Sequence, residues 1–540
     1  VLDSKHPLQE NNRMRLSQSL LATSLFLTFG LAPSCITAQT PIQTTRGAVQ
    51  GYLVADGKVR AYLGIPYAAP PVGDLRWRAP KPAAAWKGVR LSTAFGNHCF
   101  QFGQASDMVF RDPGPSEDCL TLNVWKPADA PLRNQPGPLP VMVWVHGGGF
   151  TSGGSSEPRQ DGQFLAARGV VVVSMNYRLG MFGFFVHPRL TAESGHKTSG
   201  NYGLLDMVAA LDWVKQNIRA FGGDPDNVTL FGESAGSFAV SMLMVSPLSE
   251  GLIAKAIGES GAAFWNRNGP YTSLTDREEH DPNLAKSVLG TGNLGDLREL
   301  SAEHITSHTQ LYGATAFPPE IDGYFLPDSP LHLYAAGKQA HIPLLAGWNA
   351  DEIRLSVTHS KTPTTTASFT ALLTKDFGDK TTQALSVFPA NTDAEALTSA
   401  GDFASDRFLV YATWHWIEAH TQTGEAPVYR YRFDLAAPPS KFHPAGSDAF
   451  HSDEIEYVFG TLDSRPGSTW RPEDRKLSDQ MQQYWTNFAR TGDPNSPGLP
   501  TWPVYNAKDN WPVMHLDQHT ASSPDEQRAR YLFLDGVWGH

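Results

Sequence analysis

The sequence predicts an α/β fold on a large, mostly parallel sheet, and two observations carry that expectation. Apolar runs of strand length recur at residues 120–124, 141–145, 170–175 and 228–231. Between the last two lies segment 204–218, where Leu204, Leu205, Val208, Leu211, Val214 and Ile218 follow a helical period. Strands that alternate with helices run in the same direction, because each helix carries the chain back to the starting end of the sheet.

The elements follow in order. Residues 45–64 alternate apolar and polar side chains around Ala55-Asp56-Gly57-Lys58, which predicts an antiparallel hairpin with Asp-Gly at its tip. A proline-rich stretch (Pro66, Pro70, Pro71, Pro80, Pro82) separates it from the buried strands. Residues 127–140, rich in Pro and Gly, read as a surface loop. Segments 284–307 and 367–397 look helical and flank a further strand at 342–347. There is no internal repeat and no block of like charge.

The N-terminal residues read differently. Arg13 and Arg15 precede an apolar run at 20–32, short of the roughly 20 residues that span a bilayer. Residues 1–38 are therefore expected to be a leader with a signal peptide, cleaved after Ala38, and 39–540 a single domain. Lipid attachment at Cys35 is the alternative, although Pro33 stands where a small or polar residue is expected. No other stretch approaches spanning length, so the expected mature protein lacks a membrane span and is secreted or periplasmic.

Composition narrows the functions. With 41% apolar residues and 18% charged among 540, the chain buries a sizeable core, which excludes a disordered scaffold. A net charge of -11 without a Lys/Arg block argues against nucleic acid as a partner. Three cysteines, none in a C-x-x-C pair, exclude a disulfide-dense scaffold and a cysteine-rich zinc module.

The strongest chemical signal is Gly232-Glu233-Ser234-Ala235-Gly236, with a strand-like run before it and a helix-capable run from Phe238 to Val245 after it. Flanking glycines allow a turn so sharp that Ser234 projects from the junction, where the next backbone N–H faces the same space. Upstream, the run 141–145 leads into His146-Gly147-Gly148-Gly149-Phe150, a glycine run that frees several N–H groups to face one oxyanion. A serine nucleophile needs a base, and the base an orienting carboxylate, in the chain order Ser, acid, His on such a sheet. Asp351 and Glu352 follow the strand at 342–347, and only one of them can turn inward. Eight histidines lie beyond position 352. His451, ahead of Ser452-Asp453-Glu454, stands out, yet spacing alone does not select it.

These motifs, together with Leu63-Gly64-Ile65-Pro66-Tyr67-Ala68, Ser116-Glu117-Asp118-Cys119-Leu120, Asn176-Tyr177-Arg178-Leu179-Gly180, Gly200-Asn201-Tyr202-Gly203-Leu204, Phe221-Gly222-Gly223-Asp224-Pro225 and residues 451–460, resemble the type-B carboxylesterase family. The likeness runs from about residue 45 to the C-terminus. It implies the α/β-hydrolase fold and a serine esterase acting on a small-molecule ester, with no metal or organic cofactor. It implies Ser234 as nucleophile, His451 as base and acid, Glu352 as orienting carboxylate, and Gly148, Gly149 and Ala235 as the oxyanion hole. It also implies a disulfide between Cys99 and Cys119.

Departures from choline-selective members bear on substrate. Val109 stands where they carry a cation-binding Trp, which disfavours choline esters. Small residues at Gly313 and Thr315 are expected to open the acyl pocket. Whole-chain likeness to bacterial members that remove tricarballylic acid from the mycotoxin fumonisin implies a polycarboxylate ester, with Arg354 and Arg267 as candidate carboxylate clamps. The alternatives are a general carboxylesterase or lipase on neutral esters and, from another class, a neuroligin-like binding module. Such modules lose the nucleophile, which this chain keeps. Gly290-Thr291-Gly292-Asn293-Leu294-Gly295 fits a dinucleotide pattern but follows a helical run rather than a strand, and His415 and His420 lack one-face ligand spacing.

Overall fold

Strands apolar on both sides need cover on both sides, and the computed structural model shows that arrangement. It describes residues 40–539 except 102–107, 129–136, 265–270, 310–315, 359, 361, 442 and 466. The leader reading, Cys35, Gly313, Thr315 and Arg267 lie outside the described residues. Pro41–His540 form one compact unit.

Among the described residues, eleven strands make the main sheet. In chain order they are β1 (Tyr52–Val54), β2 (Val59–Pro66), β3 (Thr121–Pro127), β4 (Leu139–Val145), β5 (Val171–Met175), β6 (Gly223–Glu233), β7 (Lys255–Glu259), β8 (Leu344–Asn349), β9 (Val428–Phe433), β10 (Pro512–Leu516) and β11 (Ala521–Pro524). Their spatial order is β11-β10-β9-β8-β7-β6-β4-β5-β3-β2-β1. From β5 to β10 every neighbour is parallel, while β1, β2 and β3 at one edge and β11 at the other pair antiparallel. The hairpin at 55–58 turns with Ala55, Asp56 and Gly57 all at positive φ, the conformation that suits a short link between twisted strands.

Along β4, Val141, Val143 and Val145 face one core and Met142 and Trp144 the other. The first core is covered by α1 (Tyr202–Asn217), through Leu204, Met207, Leu211 and Val214, and by α2 (Ala235–Leu243). Leu205 and Val208, apolar in the same period, sit half-buried at its edge. Further helices are α3 (Thr366–Phe377), α4 (Asp393–Ser405) and α5 (Tyr411–Thr423). The second core is covered by α6 (Pro472–Thr491), through Leu477, Met481, Tyr484, Trp485 and Phe488.

Several expectations change. The run 120–124 belongs to β3, which is antiparallel to both neighbours. Segment 284–307 is three helices, because Gly290 at φ 79 ends one and Asn293 caps the next through Gly295 N and Asp296 N. That also gives the Gly290–Gly295 motif a capping role. Segment 367–397 is likewise broken, at Gly378 and around Pro389. Strands β7 and β9 escape sequence reading for opposite reasons. Within β7, Gly258 breaks the apolar run, and a Cβ there would lie 2.2 Å from the Trp416 ring. Within β9, Arg430 mimics a solvent-facing position, yet it is buried over the Trp348 ring at 4.4 Å and ion-paired with Asp525.

Cys99 and Cys119 are joined in a disulfide, 20 residues apart in sequence. Closing a loop of that size is expected to contribute about 2–4 kcal/mol, largely by restricting the unfolded chain. Cys99→Ser/Cys119→Ser should lower Tm by several degrees in chemical or thermal unfolding. Alkylation of two thiols in native protein would show that the bridge does not form.

Candidate active site

Parallel register brings the chemistry to one edge. Gly232 of β6 pairs with Val145 of β4, Glu233 with Glu259 of β7, and Glu259 with Gly347 of β8. Three neighbouring strands therefore end together, and His146, Ser234 and Ser260 leave the sheet side by side. In open parallel sheets that carboxyl edge is where ligands bind.

Ser234 sits between β6 and α2 with φ 54 and ψ −123, a strained backbone for a non-glycine residue. Its N–H donates to Glu259 O at 2.8 Å, and its carbonyl accepts from Phe238 N. The flanking glycines act by close approach rather than by unusual φ. A Cβ on Gly236 would lie 2.0 Å from Val145 O, and one on Gly232 would lie 2.7 Å from both Val145 O and Gly236 C.

His451 reaches this serine from far along the chain. Its Nε2 lies 2.9 Å from Ser234 Oγ and its Nδ1 2.7 Å from Glu352 Oε2. An ionised carboxylate only accepts, so Nδ1 carries the proton and the Nε2 lone pair faces the serine hydroxyl. The imidazole keeps 25% of its surface open, whereas Glu352 is 2% exposed, so substrate can meet the base but not the acid. Glu352 Oε1 accepts from Ser260 Oγ at 2.6 Å and from Asn349 N at 2.7 Å. Asp351 turns the other way, to an ion pair with Arg354 Nε at 2.6 Å. Burial, and then the carboxyl of Asp448, push Asp351 up to about 7. Arg354 also pairs with Asp402 through Nη2 at 2.9 Å, so the guanidinium expected as a carboxylate clamp already faces two carboxylates of the protein.

The glycine run lies against the elbow. A Cβ on Gly147 would come within 3.1 Å of Ser234 Cβ and 2.5 Å of Glu233 Oε2. Gly148 and Gly149 take φ 100 and 64, and a Cβ on Gly148 would strike Ser152 O at 2.1 Å. His146 itself is buried, stacks on Tyr177 at 4.3 Å and contacts Gly147 O through Nδ1 at 2.9 Å. Burial pushes its imidazole down to about 4, so it stays neutral and shapes the turn.

Sequence reading missed the acids behind His451. Glu233 Oε1 stands 3.3 Å from His451 Nε2, and Glu259 accepts from Trp485 Nε1 at 2.7 Å. Burial first, then Glu233, Glu259 and Glu352, hold Glu454 well above the usual carboxylate range. Burial, with Glu233 adding to it, pushes Glu259 up to about 8. Folded Glu259 thus keeps a proton that the unfolded chain releases near 4.5. Its contribution to stability is complete below that value and is lost as pH rises through about 8. Glu259→Gln keeps an acceptor for Trp485 and removes the titration. The Tm of the variant minus that of the wild type should therefore rise between pH 5 and pH 9, and a constant difference would contradict the raised carboxyl.

A second Ser–His–Asp set shows why context matters. His515 contacts Asp434 Oδ2 through Nδ1 at 2.6 Å and Ser523 Oγ through Nε2 at 3.0 Å. Ser523 lies on extended β11, with neither an elbow nor a glycine run beside it. Val109 is half exposed on the disulfide loop, and neither His415 nor His420 faces the serine, since they contact Asp535 and Ile342 O.

The model of the Carboxylesterase family matches residues 38–532. The chain is 38% identical over 515 residues to fumonisin B1 esterase of Sphingopyxis macrogoltabida, covering 92% of this chain and 91% of that one. It is 37% identical to para-nitrobenzyl esterase of Bacillus subtilis (strain 168), over 91% and 98% of the two chains. Cocaine esterase of Homo sapiens is 36% identical over 94% and 93%. A solved PNB esterase matches with a TM-score of 0.77 at 35% identity, covering 91% of this chain and 98% of its own.

Proposed function

The chain belongs to the carboxylesterase family and is a carboxylic ester hydrolase on the α/β-hydrolase fold, and we propose that it works through Ser234, His451 and Glu352 by an acyl-enzyme. His451 Nε2 takes the proton of Ser234 Oγ as that oxygen attacks the ester carbonyl. The amides of Gly148, Gly149 and Ala235 receive the oxyanion, where donors fixed before reaction need no reorganisation. His451 then protonates the leaving alkoxide, and water, activated by the same nitrogen, releases the acid. The single observation that carries this reading is the unbroken hydrogen-bond chain from Ser234 through His451 to Glu352. A burst of p-nitrophenolate equal to the enzyme concentration is the expected signature with a p-nitrophenyl ester. A linear progress curve with no phosphonate on the Ser234 peptide would remove it.

Substrate is a finer matter. Tricarballylate esters of fumonisin are supported by the 38% identity to fumonisin B1 esterase. Neutral esters are the second reading, favoured by the engagement of Arg354 with Asp351 and Asp402, two protein carboxylates that compete with a substrate carboxylate for that guanidinium. Competing turnover of fumonisin B1 and p-nitrophenyl esters by the same preparation separates them. Export, with a leader ending near Ala38, is the matching proposal for location, and the Cys99–Cys119 disulfide supports it because such bonds persist in oxidising compartments.

A further inference from the structure

Gln101 closes a reciprocal pair of hydrogen bonds with the backbone of Gly153, 52 residues further along the chain. Its Nε2 donates to Gly153 O at 2.9 Å, and its Oε1 accepts from Gly153 N at 2.9 Å. A primary amide carries a donor and an acceptor side by side, so it can mirror a peptide group in this way. The same nitrogen donates to Cys99 O at 3.1 Å, so the side chain links the base of the disulfide loop to the segment that follows the glycine run.

Gly153 in turn is pressed against that run. It takes φ 112, and a Cβ on it would lie 2.3 Å from His146 Nδ1 and 2.7 Å from Gly147 O. His146 Nδ1 itself contacts Gly147 O at 2.9 Å. One residue on, Gly148 O accepts from Thr151 N and Ser152 N, both at 3.0 Å, and from Ser152 Oγ at 3.1 Å. Within a trans peptide the carbonyl and the next N–H share a plane and point opposite ways, so a carbonyl that is held aims the amide behind it. The grip on Gly147 O therefore aims Gly148 N–H, and the bonds to Gly148 O aim Gly149 N–H. Those amides are two of the three oxyanion donors in the proposed mechanism.

We propose that Gln101 is a positioning residue for the oxyanion hole. By fixing Gly153 it holds the carbonyls of Gly147 and Gly148, and with them the amides of Gly148 and Gly149, toward the place where the ester oxygen becomes an anion. The proposal rests on the reading of Ser234 as nucleophile and of those amides as its oxyanion donors. Loss of a whole donor costs about 10²- to 10³-fold in kcat, so donors that drift without leaving are expected to cost about 10- to 100-fold. The intact ester makes little use of them before attack, so KM is expected to change less than kcat.

Two variants test it. Gln101→Met keeps the length of the side chain without its hydrogen bonds, and Gln101→Glu keeps an acceptor for Gly153 N while setting an oxygen against Gly153 O. They are measured separately, so that poor folding of one leaves the other. Active sites are counted by phosphonate labelling at its end point, and kcat with p-nitrophenyl acetate is expressed per labelled site. The second measurement is the Ki of a trifluoromethyl ketone. Ser234 Oγ adds to its carbonyl carbon, the hydroxyl proton passes to His451, and the carbonyl oxygen becomes an anion in the hole with no group leaving. The expected result is a fall in kcat of about 10- to 100-fold with KM within about threefold, and a Ki that rises by the factor that kcat loses. A purely structural role would lower Tm and leave both kcat per labelled site and Ki within about twofold of wild type, and that outcome overturns the proposal. So does a fall in kcat with an unchanged Ki, which places the loss outside the oxyanion hole. Absence of phosphonate labelling in the wild type would instead overturn the underlying assignment of Ser234.

Discussion

Ser234→Ala is expected to lower kcat by about 10⁶-fold while the protein stays folded. Alanine has no oxygen to become the acyl carrier, and water that takes its place lacks the fixed attack geometry set by the β6–α2 turn. The strained backbone at φ 54 is held by Glu259 O and by the packing of Gly232 and Gly236 against Val145, none of which involves the hydroxyl. The far-ultraviolet spectrum and Tm should therefore change little. Covalent labelling by an organophosphonate should vanish, and stoichiometric labelling of the variant would move the nucleophile elsewhere.

The second large effect separates two adjacent acids. Glu352→Gln should lower kcat by about 10³- to 10⁴-fold, whereas Asp351→Asn should stay within about tenfold of wild type. The glutamate meets His451 Nδ1 at 2.7 Å and is fastened by Ser260 and Asn349. An amide at that position can present its NH₂ to Nδ1 and favour the wrong tautomer. The aspartate contacts Arg354 instead, so its loss acts on stability more than on turnover. A larger kinetic loss for Asp351→Asn than for Glu352→Gln, measured at saturating p-nitrophenyl ester, would reverse the assignment. His451→Ala should fall with Ser234→Ala, because the two act as one unit.

Much of this molecule was legible before any coordinates. The α/β class, the parallel sheet, the hairpin at 55–58 and α1 all follow from local pattern. Ser234 and the glycine run at 147–149 are legible for the same reason, since a strand, a tight turn and a helix are written in consecutive residues. The family resemblance extended that to His451 and Glu352, which local pattern could not reach. Their meeting depends on a contact 99 residues apart in sequence.

Tertiary structure decided the remainder. It turned Glu352 toward His451 and Asp351 toward Arg354, a choice invisible to two neighbouring carboxyl groups in a string. It tied Arg354 to two aspartates and buried Arg430 in a strand that looked half polar. It gathered Glu233, Glu259 and Glu454 behind the histidine from three separate strand or helix ends. The physical reason is common to all of these. Periodicity and turn chemistry are properties of a few adjacent residues, whereas burial, ion pairing and side-chain direction are set by what the folded sheet brings opposite each one. The sequence by itself determined the class, the elbow and the family. Which acid faces the base, which arginine is engaged and what lies beside the imidazole were settled by the register of the parallel strands and the helices packed on them.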